Sequence, residues 1–247
     1  MTNKASRAVI DSALAAGRKA LTAPEAQLLC DAYGIPTPKQ GLAKTAGEAI
    51  KLAARLRFPV VLKIVSEDIL HKTEAGGVIV GVESPGDVRR AFDRLVKNAK
   101  AQQESVKIQG VQVQQMLHGG QEVMVGAVTD PSFGKMIAFG LGGVLVEVMK
   151  DITFRLAPVG KKDALSMLDA IGSAEILRGV RGAKGVNRAA LADIISKASK
   201  LVNDFPEIQE VDLNPIFATE KDAKAVACAS SSATRRRRAN GLARAKF

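Results

Sequence analysis

Only two cysteines and two histidines occur in this chain, and tryptophan is absent. Cys30 falls in a predicted helix and Cys228 near the C-terminus, with no Cys-x-x-Cys spacing and no histidine beside either. That argues against a disulfide framework and a zinc centre, and both cysteines read as bystanders. No run of about 18 apolar residues is present, so no membrane span is expected. The opening Met1-Thr-Asn-Lys-Ala-Ser-Arg7 leads into a polar amphipathic stretch. It lacks the apolar core and small-residue cleavage site of a secretory signal, and a cytoplasmic address is the expectation. There is no internal repeat and no long linker. What is there is ordinary for a soluble globular protein, 47% hydrophobic and 25% charged residues. With 247 residues there is enough chain for one large domain or two lobes with a core each.

The formal charge of +11 is mainly a property of the end of the chain. Arg235 to Arg238, Arg244 and Lys246 are uncompensated by any acid there, and the remainder carries about +5. A nucleic-acid reading would rest on this tail alone, so no nucleic-acid partner is expected.

Along the chain, residues 4–20 read as an amphipathic helix, and Thr22 with Glu25 has the form of a capping box opening a second one. Tyr33-Gly34 closes it, and Ile35-Pro-Thr-Pro38 forces extended backbone. Thr45 and Glu48 repeat the capping logic for a helix with Ala49, Ile50, Ala53, Ala54 and Leu56 inward. Residues 58–65 and 78–82 read as strands from their β-branched content. Ser84-Pro85 with Asp87 starts a helix with Val88, Ala91, Phe92, Leu95 and Ala99 inward. Further on, 111–115, 122–128, 135–139 and 208–217 read as strands, with turns at Gly119-Gly120 and Asp130-Pro131. Helical spacing recurs at 161–171, 173–179 and 188–203. The expected organisation is an N-terminal helix (1–20), a first lobe (21–110), a second lobe (111–226) and a basic, irregular tail (227–247). Two such mixed lobes facing each other would form a cleft, a usual place for a ligand.

Several residues could carry chemistry. Lys63 lies inside an apolar strand, where a charge is costly unless paired, although an edge lysine pointing to water would look the same. Thirteen residues on, Gly76-Gly77 would let backbone N–H groups approach phosphate oxygens, so lysine and glycines together suggest a triphosphate cradle. His71, in the same loop, could take a phosphoryl group as a nucleophile, or be merely solvated. His118 sits at an apparent turn and reads as structural. Glu210-Val-Asp-Leu-Asn214 places three oxygen-bearing side chains on one strand face, a pattern that suits Mg²⁺ as well as a solvated sheet, with Pro215 ending the strand. Gly140-Leu-Gly-Gly143, with Glu147, Asp151 and Arg155 behind it, is either a tight turn or a second phosphate loop.

In order, Leu21-Thr22 with Glu25, Tyr33-Gly-Ile-Pro36, Pro59-Val-Val-Leu-Lys-Ile64, Asp68-Ile-Leu-His-Lys-Thr73, Ala75-Gly-Gly-Val78, Phe139-Gly-Leu-Gly-Gly143, Glu147 with Lys150-Asp151, and Glu210-Val-Asp-Leu-Asn-Pro215 resemble one family. Over about residues 5–226 the chain is similar to the β subunit of ADP-forming acetyl-CoA synthetase, to the matching segment of single-chain NDP-forming acyl-CoA synthetases, and more distantly to the succinyl-CoA synthetase β chain. The resemblance implies an α/β (α+β), two-lobed ATP-grasp fold with a nucleotide cleft between the lobes. It implies the reversible conversion of acyl-CoA, ADP and phosphate into acid, CoA and ATP, with a CoA-binding α subunit or module as partner. Carried over, His71 is the phosphohistidine that relays the phosphoryl group. Lys63 meets the nucleotide phosphates beside Gly76 and Gly77, Gln114 is the hinge that reads adenine, Glu122 is a nucleotide-pocket acid, and Asp212 with Asn214 belongs to the Mg²⁺ region. The competing reading is a nucleotide-binding remnant, or part of an acyl-CoA-dependent protein acetyltransferase.

The family's next strand normally carries an aspartate, whereas here Val226 leads into Ala-Cys-Ala-Ser-Ser-Ser232. Removing one base from codons for Val-Asp-Val-Arg-Ile gives Val-Ala-Cys-Ala-Ser, the residues at 226–230, so a shifted reading frame accounts for the departure. A lost closing strand, irregular structure after about residue 227 and weakened Mg²⁺ binding are the expectations.

Overall fold

The computed structural model describes residues 4–69, 76–103, 105–142, 151–180, 182 and 184–232. In chain order the helices and strands are α1 (Lys4–Ala15), α2 (Ala23–Ala32), β1 (Gln40–Ala43), α3 (Ala46–Leu56), β2 (Val60–Ser66), β3 (Val78–Val82), α4 (Pro85–Gln102), β4 (Ile108–Gln115) and β5 (Gln121–Asp130). They continue with β6 (Gly134–Leu141), β7 (Ile152–Leu156), α5 (Lys161–Ala170), α6 (Ala174–Arg178), α7 (Arg188–Asp204), β8 (Ile208–Ala218), β9 (Ala223–Ala225) and β10 (Ala229–Ser232).

The chain divides into two compact units, the smaller made of Thr22–Pro24 and Pro38–His118. Its antiparallel sheet runs β1-β4-β2-β3. Helices α3 and α4 are started by the side chains expected of them: the Thr45 hydroxyl accepts from Glu48 N–H at 3.2 Å and the Ser84 hydroxyl from Asp87 N–H at 3.2 Å, each meeting one donor that the first turn cannot satisfy itself. The Glu48 carboxylate reaches back to Lys44 N–H at 2.7 Å. All five apolar positions read for α4 are buried, as are Ala49 and Ala53 of α3. Ala54, read as inward, is exposed, and Leu52 packs on the core instead. Together with Leu62 and Ile64 of β2 and Val111 and Val113 of β4, these residues form one apolar core.

The larger unit takes the chain up to Leu21, Glu25–Thr37, and the residues from Gly119 on. Its sheet runs β10-β8-β5-β6-β7, with β9 also paired to β8. One face, carrying Val123, Val125, Ile137, Phe139, Val211 and Leu213, is buried in a core shared with α1, α2, α5, α6 and α7. Helix α7 contributes Leu191, Ile194, Ile195, Ala198, Leu201 and Val202, a spacing that lines one side of a helix.

Three expectations are corrected. The segment 111–115 belongs to the smaller unit, because β4 pairs with β2 from Val60↔Gln115 to Ser66↔Ile108 and with β1 on its other side. The N-terminal helix and most of α2 go with the larger unit, because Ile10, Leu29, Cys30 and Ile35 enter its core. Residues 229–232 are also not irregular: β10 pairs antiparallel with β8 through Ala229↔Asp212, Ser230↔Val211 and Ser231↔Glu210. The edge of β8 offers backbone donors and acceptors that any chain can satisfy, and alanine and serine are small enough to lie there. The expected loss of a closing strand is thereby overturned; residues 233–247 lie outside the described residues. Strands β1, β7, β9 and β10 have no counterpart in the sequence reading.

The turn before β5 supplies a test of the backbone. Gly119 has φ 69° with open space where a Cβ would sit, whereas Gly120 has φ 90° and its Cβ would stand 2.6 Å from the Ala218 carbonyl oxygen. Gly119→Ala is expected to cost about 1 kcal/mol and Gly120→Ala roughly 2–4 kcal/mol, read as denaturation midpoints. Equal losses would show that the approach to Ala218 is not what requires glycine.

Candidate functional site

In the smaller unit α3 and α4 cover the side of the sheet bearing Leu62, Ile64, Val111 and Val113. Alternation along the strands turns Val61, Lys63, Gln112 and Gln114 to the opposite face. Lys63 is the one residue of β2 that is not fully buried. It stands opposite Gln112 on β4 and Val78 on β3. Gly77 is brought beside it, since Ile64 N–H donates to the Gly77 carbonyl at 2.8 Å. Gly76 has φ 59°, and its carbonyl accepts from the Asn98 side-chain amide at 3.0 Å. Lys63 and the glycine pair are therefore neighbours in space as well as in sequence.

Gln114 is only 2% exposed and does not act alone. Its amide and that of Gln112 both donate to the side-chain oxygen of Gln40, each at 2.8 Å. The alternation of 111–115 announces that Gln112 and Gln114 share a face, but nothing in the sequence announces Gln40. It arrives through the β1–β4 register, which sets Gln40 opposite Gln114.

In the larger unit the same alternation operates. Val211, Leu213 and Ile216 are buried, Glu210 and Asn214 are exposed and Asp212 is half-buried. Pro215 does not end the strand: β8 continues to Ala218 through it, and the Pro215 carbonyl accepts from Val226 N–H at 2.9 Å. Glu122, at the start of β5, lies by alternation on the open face with Met124, Gly126 and Val128. Further along that face are Met136 and Ala138 of β6 and Phe154 and Leu156 of β7, paired as Ala138↔Phe154 and Met136↔Leu156. The result is a largely apolar face with carboxylates at one side.

Gly140 and Leu141 belong to β6, which corrects the reading of a turn there. Gly142 N–H donates to the Glu122 carbonyl at 2.7 Å, and a Cβ on Gly142 would lie 3.0 Å from Glu122 and Val123 backbone atoms. These two glycines serve close strand packing; Gly143 and Glu147 lie outside the described residues. Asp151 is held by Gly172 N–H and Ser173 N–H, each at 2.7 Å, and by the Ser173 hydroxyl. Burial pushes its carboxyl up, but those donors outweigh it and hold it below the usual range, so Asp151 fastens the loop before α6. His118 is exposed. His71, with the rest of residues 70–75, lies outside the described residues. A groove of about 780 Å³ between α4 and strands β1 and β4, lined by Leu42, Lys44, Phe92 and Lys100 among others, contains none of the expected site residues.

Hard oxygen donors make the β8 face a fit for Mg²⁺, which needs only one or two carboxylates when phosphates and water complete its shell. Among the described residues no group of three His, Cys, Asp or Glu side chains gathers as a metal site, and Ala227 supplies no oxygen ligand. The indication comes from Asp212: burial, with Glu210 adding repulsion, pushes its carboxyl up to about 6, and it has no ion pair among the described residues. A folded state that holds this proton more tightly than the unfolded chain loses stability as pH rises from 3.8 through about 6, and a bound cation would relieve that cost. Without added Mg²⁺, Asp212→Asn is therefore expected to stabilise the protein at pH 8 by on the order of 1–3 kcal/mol and not at about pH 4. Urea midpoints at the two pH values read this, and an equal gain at both would contradict it.

Residues 12–229 match the family model of the ATP-grasp domain. The chain is 45% identical over 220 residues, 89% of its own length and 94% of the relative's, to acetate–CoA ligase [ADP-forming] I subunit beta of Pyrococcus furiosus. Among solved structures it resembles dinucleotide-forming acetyl-coenzyme A synthetase 1 of Ca. Korarchaeum cryptofilum in complex with coenzyme A, Ca-AMPCP and HgCl+, at TM-score 0.88 and 38% identity, covering 92% of this chain and 100% of that one. A second structure of that protein holds coenzyme A and Mg-AMPPCP with a phosphohistidine segment pointing towards the nucleotide-binding site; it matches at TM-score 0.81 and 36% identity, over 92% of this chain and 100% of that one. The chain belongs to the ATP-grasp family, among the β subunits of ADP-forming acetyl-CoA synthetases.

Proposed function

We propose that this protein is the nucleotide-handling subunit of an ADP-forming acyl-CoA synthetase, working with a CoA-binding α subunit. The observation that supports this most directly is 45% identity across nearly the whole of an ADP-forming acetate–CoA ligase β subunit. The arrangement of Lys63 beside Gly77 and of Glu210, Asp212 and Asn214 along one face of β8 fits the same reading.

In the ATP-forming direction the acyl phosphate gives its phosphoryl group to a histidine of the partner module, releasing the free acid. A nitrogen of the His71 imidazole then attacks that phosphorus, freeing the partner's histidine and leaving His71 as the phosphohistidine. A terminal oxygen of ADP then attacks the phosphohistidine, releasing the imidazole and forming ATP. Lys63 neutralises charge on the phosphates, and backbone N–H groups at Gly76-Gly77 would cradle them. Gln114, steadied by Gln40, contacts the base, and Glu122 contributes to the nucleotide pocket. Asp212 and Asn214 would hold Mg²⁺, which supplies charge neutralisation on the phosphates.

Two measurements test this. Incubation with ATP labelled in its γ-phosphate, Mg²⁺ and the α partner is expected to give an acid-labile label on His71, absent from His71→Ala. Nucleotide binding without histidine label would leave only a binding module. Lys63→Met is expected to weaken Mg·ADP binding by on the order of 10- to 100-fold, the equivalent of one lost charged hydrogen bond of about 1.5–3 kcal/mol. Unchanged affinity by titration calorimetry would remove Lys63 from the phosphate site.

A further inference from the structure

We propose that Cys30 and Cys228, nearly two hundred residues apart in sequence, are a dithiol site that a small-molecule disulfide converts to an intramolecular cystine, tying the C-terminal strand to α2. The backbone brings them together. Ala225 N–H donates to the Pro36 carbonyl at 2.9 Å, just beyond the C-terminal end of α2. Leu21 N–H donates to the Ser230 carbonyl at 3.1 Å, just before its start, and Ala20 forms a bridge with Ser231. The segment between these two attachments, Val226–Ala229, therefore runs antiparallel along α2. Cys30 is buried on the inner side of that helix, and Cys228 packs against the same core. The neighbouring Cys30 thiol, with burial, pushes the Cys228 thiol well above its usual range, so exchange proceeds through a small thiolate fraction and is slow.

The pair is asymmetric, with Cys30 buried and Cys228 only partly so, which makes Cys228 the thiol an oxidant reaches first. Its thiolate attacks one sulfur of the small disulfide; a mixed disulfide forms and one equivalent of small thiol leaves. The Cys30 thiolate then attacks the Cys228 sulfur and displaces the second equivalent. Two protein thiols are oxidised, one small disulfide is reduced to two thiols, and two protons pass to the leaving thiolates. The link would close a very long loop and remove freedom from the unfolded chain, and it would fix the strand that pairs with β8 at Asp212. The proposal does not depend on the nucleotide reading.

The test uses the full chain with glutathione disulfide in mildly alkaline buffer, followed by alkylation, mass spectrometry and peptide mapping. The expected product is monomeric, has lost two hydrogens and carries a Cys30–Cys228 crosslinked peptide. Its urea midpoint is higher than that of the reduced chain, and dithiothreitol reverses the shift. Persistent glutathione on Cys228 with Cys30 still alkylatable, covalent dimers, or crosslinking only under denaturing conditions would each overturn the proposal. Cys30→Ser is expected to stop at the mixed disulfide. Should that variant not fold, the peptide map of the unsubstituted chain decides alone.

Discussion

Each sheet of this protein has one face that must be buried under helices, and that single requirement assigns nearly every other feature. A strand alternates its side chains, so committing Leu62 and Ile64, or Val211 and Leu213, to a core leaves Lys63 in the one case and Asp212 in the other on the opposite side. Chemistry-bearing residues need no special local structure to be displayed. They need only the right parity relative to the core, and the antiparallel register then brings Gln112, Gln114 and Gln40 together and lines up Glu210, Asp212 and Asn214.

The cost of that display falls on the residues themselves. Asp212 is half-buried beside a second carboxylate with no cation pairing it among the described residues, which is a poor choice for stability in isolation. A group held in that state makes sense where a divalent ion joins it, and strained ionisation is a recurrent mark of such sites. Asp151 makes the contrast. It is an equally prominent acid in the sequence, but its oxygens are consumed by Gly172 and Ser173 and it does structural work.

The C-terminal strand shows how far backbone pairing can carry a sequence with little apolar content. Ala229–Ser232 would not order by itself. It is held because β8 presents an edge and because Leu21 and Pro36 grip the segment from the α2 side. The same attachments bring Cys228 to Cys30, two residues that composition alone gave no reason to connect.

Helices α3 and α4 were legible because capping and apolar spacing are local, and so were the cores of β2, β3, β5, β6 and β8, whose β-branched alternation is a local signal as well. The parity that puts Lys63 and Asp212 on displayed faces could also be read from the chain. Tertiary structure decided which strands pair. It moved 111–115 into the smaller sheet, carried the first helices into the larger unit's core, recruited Gln40 to Gln114, continued β8 past Pro215 with a shift of register against β5, and made strands of the short segments at β1 and β10. None of these has a local signal, because a hydrogen bond to a strand distant in sequence depends on the partner's edge and not on the residues that meet it.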